Sequence, residues 1–180
     1  PEDVAVFYAR GPVDKNKINA FIPLIERRKI EWRWMDAGDG YGGGIKVIQR
    51  ADKNNKYNLY RIYINSNHEP AVQFVTITHE LAHLFLGHQG PDRWLHIPER
   101  PQLTPEQCEL EAESVAYLVC ARHRVKSKSE TYLTHYVENN TTADHLDIYN
   151  IMHAAGQIET LLGLTVNTKF DKQVKKKRLK

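Results

Sequence analysis

The sequence predicts an α+β domain in which a small sheet, three-stranded or larger, packs on several helices, with strands early in the chain and helices late. Three observations predict it. Leu59, Arg61, Tyr63 and Asn65 alternate with Tyr60, Ile62 and Ile64, the period-two pattern of a strand. Ile18, Phe21, Ile22 and Ile25 recur at helical spacing. Thr104, Pro105 and Gln107 supply the cap residue, first-turn proline and return donor of a capping box.

In order along the chain, a first helix is expected from about Asp14 to Arg28, kinked at Pro23 if it runs through. Glu31 to Met35 alternates as a strand. The turn-rich run Asp36 to Gly44 separates it from a second strand at Ile45 to Gln49, and Asp52 to Asn55 turns into a third, Tyr57 to Asn65. A second helix starts around Asn67 to Pro70, with Pro70 in the tolerated first turn, and stops at Gly87. The capped helix after Thr104 runs to about His123. Two more are expected near Ser129 to Glu138 and Ala143 to Leu162, the last closed by Gly163.

At 180 residues the chain suits one domain, and 41% hydrophobic with 26% charged residues is the composition of an ordinary globular protein. No apolar run approaches the roughly 20 residues of a bilayer span, so no membrane partner is expected. No secretory pattern opens the sequence, which begins at Pro1. Cys108 and Cys120 fall on one helix, and a spacing of 12 residues puts them roughly 18 Å apart, too far for a disulfide. Unpaired thiols suggest a cytoplasmic location. The formal charge of +3 hides an asymmetry: residues 169–180 hold seven Lys/Arg against one Asp, a net +6 that leaves −3 on the rest. Residues 1–168 are therefore expected to form the domain and 169–180 a basic, flexible tail with at most weak nucleic-acid contact. Oligomeric state leaves no trace in the pattern.

The chemistry concentrates in His79-Glu80-Leu81-Ala82-His83, an H-E-x-x-H match within an apolar helical segment. Residues four apart stand one turn above each other, so both imidazoles can reach one zinc ion at about 2.0–2.1 Å. Glu80, about 100° round the helix from His79, lies beside the metal, where it can take a proton from water that zinc has acidified. Val75, Leu81, Leu84 and Phe85 remain to pack. A hydrolytic zinc site needs a third protein ligand and an open position. A third histidine in the pattern H-E-x-x-H-x-x-G-x-x-H is disfavoured, because Leu86 and Gln89 occupy the required positions and Gly87 and His88 are each one residue off. A Glu from the next helix is the other source. Glu109 and Glu113 share a face there, beside Ala112, Val115, Ala116 and Val119, whereas Glu111 and Glu106 fit a solvated acidic stripe. Glu109 is the expected ligand, with Glu113 bonding a ligand imidazole or replacing Glu109. A site closed structurally by Cys and His is the weakest alternative, since neither Cys is near the motif.

The run Thr76-Ile77-Thr78-His79-Glu80-Leu81-Ala82-His83, followed by Glu109-Leu110-Glu111-Ala112-Glu113-Ser114-Val115-Ala116-Tyr117, resembles the ImmA/IrrE family of metallo-endopeptidases. It looks still more like the zincin-type domain of ArdC-like antirestriction proteins, with similarity from about Tyr60 to Gly163. The resemblance implies a zincin-like fold of the gluzincin type and a zinc site completed, by position, by Glu109. Relatives often carry Asn or Asp where this chain has Glu113. It also implies a zinc-dependent endopeptidase that cleaves a specific cytoplasmic protein, with a DNA-binding regulator as the expected substrate class. The alternative is a DNA-binding or antirestriction accessory protein with a vestigial zinc site. A protein substrate is expected to extend along the edge of the strand Tyr57 to Asn65. Tyr117, His123, Tyr149 and His153 are candidates for a donor that stabilises the oxyanion. His96, His135 and His145 read as surface residues, and Trp32, Trp34 and Trp94 as core or pocket walls.

Overall fold

The computed structural model describes residues 8–128 and 146–164. The helix expected at Ser129 to Glu138 and the basic tail fall outside them. Along the described residues the elements run β1 (Ala9–Arg10), α1 (Lys15–Glu26), β2 (Ile30–Met35), β3 (Gly43–Gln49), β4 (Leu59–Asn65), α2 (Pro70–Phe85), α3 (Pro105–Arg122), β5 (Lys126–Ser127) and α4 (Ile148–Leu161). The α+β class is as expected. The main sheet has the order β2-β4-β3, with β4 parallel to β2 and antiparallel to β3. Its buried residues, among them Ile30, Trp32, Ile45, Tyr60, Ile62 and Ile64, meet Phe74, Ile77, Leu81 and Leu84 of α2 in one core. Ala9 and Arg10 pair with Ser127 and Lys126 in a second, two-stranded sheet that is too short to leave a periodic signal.

This order corrects the expected substrate edge. β4 is the central strand, with both sides already paired, so no further strand can add to it. Alternation reports that one face of a strand is covered and says nothing about which strands flank it. A second correction concerns Trp34, which is 42% exposed, whereas Trp32 is buried and meets it edge to face at 5.1 Å.

Local chemistry sets the helix ends. Asp14 accepts from the Lys17 N–H at 2.8 Å and starts α1, which runs through Pro23. Pro70 opens α2 without a side-chain cap, and Gln73 ties that end to β4 by donating to the Asn65 carbonyl at 3.0 Å. At the other end Gly87 adopts φ +82°, with Gly87 N–H donating to Leu84 and His88 N–H to His83, each at 3.0 Å. That bonding pair is a Schellman motif, which a glycine forms without strain. Both arms of the Thr104/Gln107 capping box are made, at 2.9 and 3.2 Å. α4 starts later than expected, at Ile148, because Asp147 caps it by accepting from Asn150 N–H at 3.0 Å. Among the described residues no helix is long and apolar enough to cross a membrane.

Thr104→Ala removes one acceptor at the start of α3 and should cost about 1 kcal/mol. Urea unfolding should show a lower midpoint at an unchanged slope.

Candidate metal centre

α3 packs across α2, and its capped start sets which of its faces meets the two histidines. The result brings His79, His83 and Glu109 together, with one donor atom from each lying within 4.8 Å of the others. The two Nε2 atoms are 3.1 Å apart, and the Glu109 carboxylate oxygens lie 3.4 Å from each. Ligands bound tetrahedrally at about 2.0–2.1 Å are separated by about 3.4 Å, so these spacings, which reach a different Glu109 oxygen from each imidazole, are on the scale of a zinc site. Two aromatic nitrogens and one carboxylate are also a donor set that zinc accepts. The imidazole side chains are 22% and 13% exposed against 45% for Glu109, so the cluster opens to water on the carboxylate side.

The charges agree with the geometry. The His79 and His83 imidazoles beside its oxygens hold the Glu109 carboxyl far below the usual carboxylate range. Burial opposes charge on His79, yet its bonds to Glu109 and Glu113 outweigh burial and raise the imidazole to about 10. The lowered acid and the raised base are the two sides of one attraction between imidazole and carboxylate. Glu113 stands behind His79, its oxygen 3.0 Å from Nδ1. It meets the ring at the nitrogen away from the cluster, while Glu109 faces the two Nε2 atoms.

Glu80 lies between α2 and the sheet. Burial pushes its carboxyl above the ordinary value, against the lowering effect of His79 and His83, and the Ile45 N–H of β3 donates to it. Tyr41, at the entry to β3, is raised by burial and by the Glu80 charge.

Glu111 corrects the sequence expectation. Instead of joining a solvated stripe it is 1% exposed. Two positions from Glu109, it points to the opposite side of α3, where the segment after α2 covers it rather than water. Arg100 donates to its two oxygens, each bond 2.9 Å, and also to the Leu86 carbonyl at 3.3 Å. His88 Nε2 lies 3.0 Å from Glu111, and His88 Nδ1 lies 2.9 Å from His83 Nδ1. Burial lowers the His88 imidazole, with Glu111 acting against that shift. Burial also works against charge on Glu111, but His88 and Arg100 prevail and its carboxyl ends below the usual value. A second buried cluster holds the same segment to β4: Asp92 accepts from Asn58 at 2.8 Å and from the Tyr60 hydroxyl at 2.9 Å. Glu106 is exposed, as expected.

Of the oxyanion-donor candidates, His123 is 3.2 Å from Glu159, and Tyr149, 78% exposed, stacks on His153. Tyr117 is exposed on α3. None of the four belongs to the three-residue donor cluster.

Within an α+β domain, two helical histidines and a carboxylate are thus brought together as a group that could hold a metal ion. Residues 26–146 match the IrrE N-terminal-like domain of the Peptidase M78 family, and the chain belongs to that family. Membership suggests a metallopeptidase and a protein substrate. Neither a curated protein nor a solved structure matches the chain.

Arg100→Met should leave Glu111 buried without the partner that donates to both its oxygens and destabilise the fold by about 3–5 kcal/mol. The folded-state value of Glu111 is depressed, so its contribution is present above the unfolded carboxyl value of about 4.3 and is lost as pH falls through the folded value. Urea midpoints measured from pH 7 down to 3 should fall less steeply in Arg100→Met than in the parent.

Proposed function

We propose that this chain is a zinc-dependent endopeptidase in which His79, His83 and Glu109 hold the metal, Glu80 is the general base and Glu113 orients His79. The observation that carries it is the set of donor separations, 3.1 Å between the imidazoles and 3.4 Å from each to Glu109, beside a half-buried Glu80. Zinc bound there would supply Lewis acidity and lower the pKa of a water towards about 7.

Glu80 takes a proton from the attacking water and returns it to the leaving amine. Its raised carboxyl suits both halves, because an acid nearer neutrality gives up and accepts the proton at smaller cost. The Ile45 N–H holds one side of the carboxylate, which fixes its direction without adding a charge. An extended substrate adds most simply along β3, an outer strand of the sheet and the one whose backbone reaches Glu80. That mode selects a flexible or unfolded stretch of a partner protein. A specific cytoplasmic protein such as a DNA-binding regulator, cleaved within an accessible segment, is the substrate class this reading favours.

The alternative, a DNA-binding accessory protein of the antirestriction kind with a vestigial zinc site, draws on the seven Lys/Arg in residues 169–180. It requires binding to single-stranded DNA that weakens steeply with salt, vanishes when that tail is deleted and ignores Glu80.

Glu80→Gln should retain one zinc per chain and lose hydrolysis of the substrate by a factor of about 10³ or more. Glu109→Gln should lose zinc as well, by at least about tenfold in affinity. Metal analysis and a cleavage assay on the same preparations check both, and full activity in Glu80→Gln would remove the enzymatic assignment.

A further inference from the structure

The Schellman motif at the end of α2 folds His88 back over His83, because Gly87 at φ +82° returns the chain by one turn. The residues that such a motif brings together are usually apolar. Here they are two imidazoles, Nδ1 to Nδ1 at 2.9 Å. Behind them the path continues inward: His88 Nε2 is 3.0 Å from Glu111, and both Glu111 oxygens are taken by Arg100 at 2.9 Å. His88 and Glu111 side chains are only 5% and 2% exposed, so water does not interrupt the path.

With His88 neutral, one arrangement of protons satisfies the links from Arg100 to His83. The Glu111 carboxylate, its charge matched by Arg100, can only accept, so His88 Nε2 carries the hydrogen between them. The remaining nitrogen of neutral His88 has a lone pair and accepts. His83 must then donate from Nδ1, which leaves the lone pair of its ring on Nε2, the atom 3.1 Å from His79 Nε2 and 3.4 Å from Glu109. Carboxylates usually orient a ligand imidazole directly, as Glu113 does for His79. We infer that His88 is a positioning residue: it transmits the acceptor character of Glu111 through one imidazole to His83 and so aims His83 Nε2 at the metal position. The inference rests on the zinc site proposed above and deepens it, assigning the second histidine ligand a two-step support of its own.

The test uses the full chain with His88→Gln and His88→Leu. Glutamine can accept from His83 through Oε1 and donate to Glu111 through Nε2, so it preserves the direction of the relay, whereas leucine fills the space and breaks it. Zinc affinity, measured by competition with a chromophoric chelator, should fall about 10–100-fold in His88→Leu and stay within about threefold of the parent in His88→Gln. Imidazole ¹⁵N chemical shifts, recorded without metal, should place the hydrogen of His83 on Nδ1 in the parent and in His88→Gln. A purely structural role for His88 would not move that tautomer. Unchanged zinc affinity in a folded His88→Leu, or a His88→Gln as weak as His88→Leu, overturns the relay. If His88→Leu does not fold, the parent and His88→Gln decide, and a parent with His83 protonated on Nε2 overturns it. Failure of the parent to bind zinc would sink the proposed site instead, and the His83 tautomer would still judge the relay.

Discussion

The close crossing of α3 over α2 is the constraint on which the site depends. Helices pack at about 8–10 Å between axes depending on the side chains at the contact, so small residues in a seam bring the facing side chains nearer each other. Ala82 on α2 and Ala112 and Ala116 on α3 are fully buried and small enough to permit it. Val115, Val119 and Leu81 fill the rest of the seam. A bulkier residue at Ala112 or Ala116 would push Glu109 away from both imidazoles before it disturbed the sheet.

Charge is the second constraint. The chain places several ionisable groups in and beside the core, and these meet partners: half-buried His79 meets Glu113, half-buried Glu80 meets the Ile45 N–H, and buried Glu111 meets Arg100 and His88. Such pairing offsets the desolvation that unpaired charges would suffer. It also limits motion, since both imidazoles of the cluster are held from behind, His79 by Glu113 and His83 by His88. The segment between α2 and α3 acts as the frame for this, held to β4 through Asp92, Asn58 and Tyr60 and to α3 through Arg100.

Features set by neighbours in sequence were legible, and those set by distant partners were not. The spacing of His79, Glu80 and His83, the capping box at Thr104 and the stop at Gly87 are local, and the geometry agrees with each. The shared face of Glu109 and Glu113 follows from helical periodicity alone, and in the structure Glu109 lies beside His79 Nε2 and Glu113 beside His79 Nδ1. Glu111 was misjudged because its burial depends on Arg100, which arrives from a loop with no periodic signal. A glycine one residue before His88 and a histidine five before it were a readable sign of the turn, but the carboxylate beyond lies 23 residues away. Strand order escaped for a similar reason: alternation marked β4 as a strand, while its place between β2 and β3 is a matter of long-range pairing.

Zinc-edge anomalous diffraction from crystals of the zinc-loaded chain tests the central claim most directly. The account predicts one ion per chain, bound by His79 Nε2, His83 Nε2 and a Glu109 oxygen at about 2.0–2.2 Å, with a solvent molecule in the fourth position. An ion seated elsewhere, or one whose coordination is closed by four protein side chains, would contradict it.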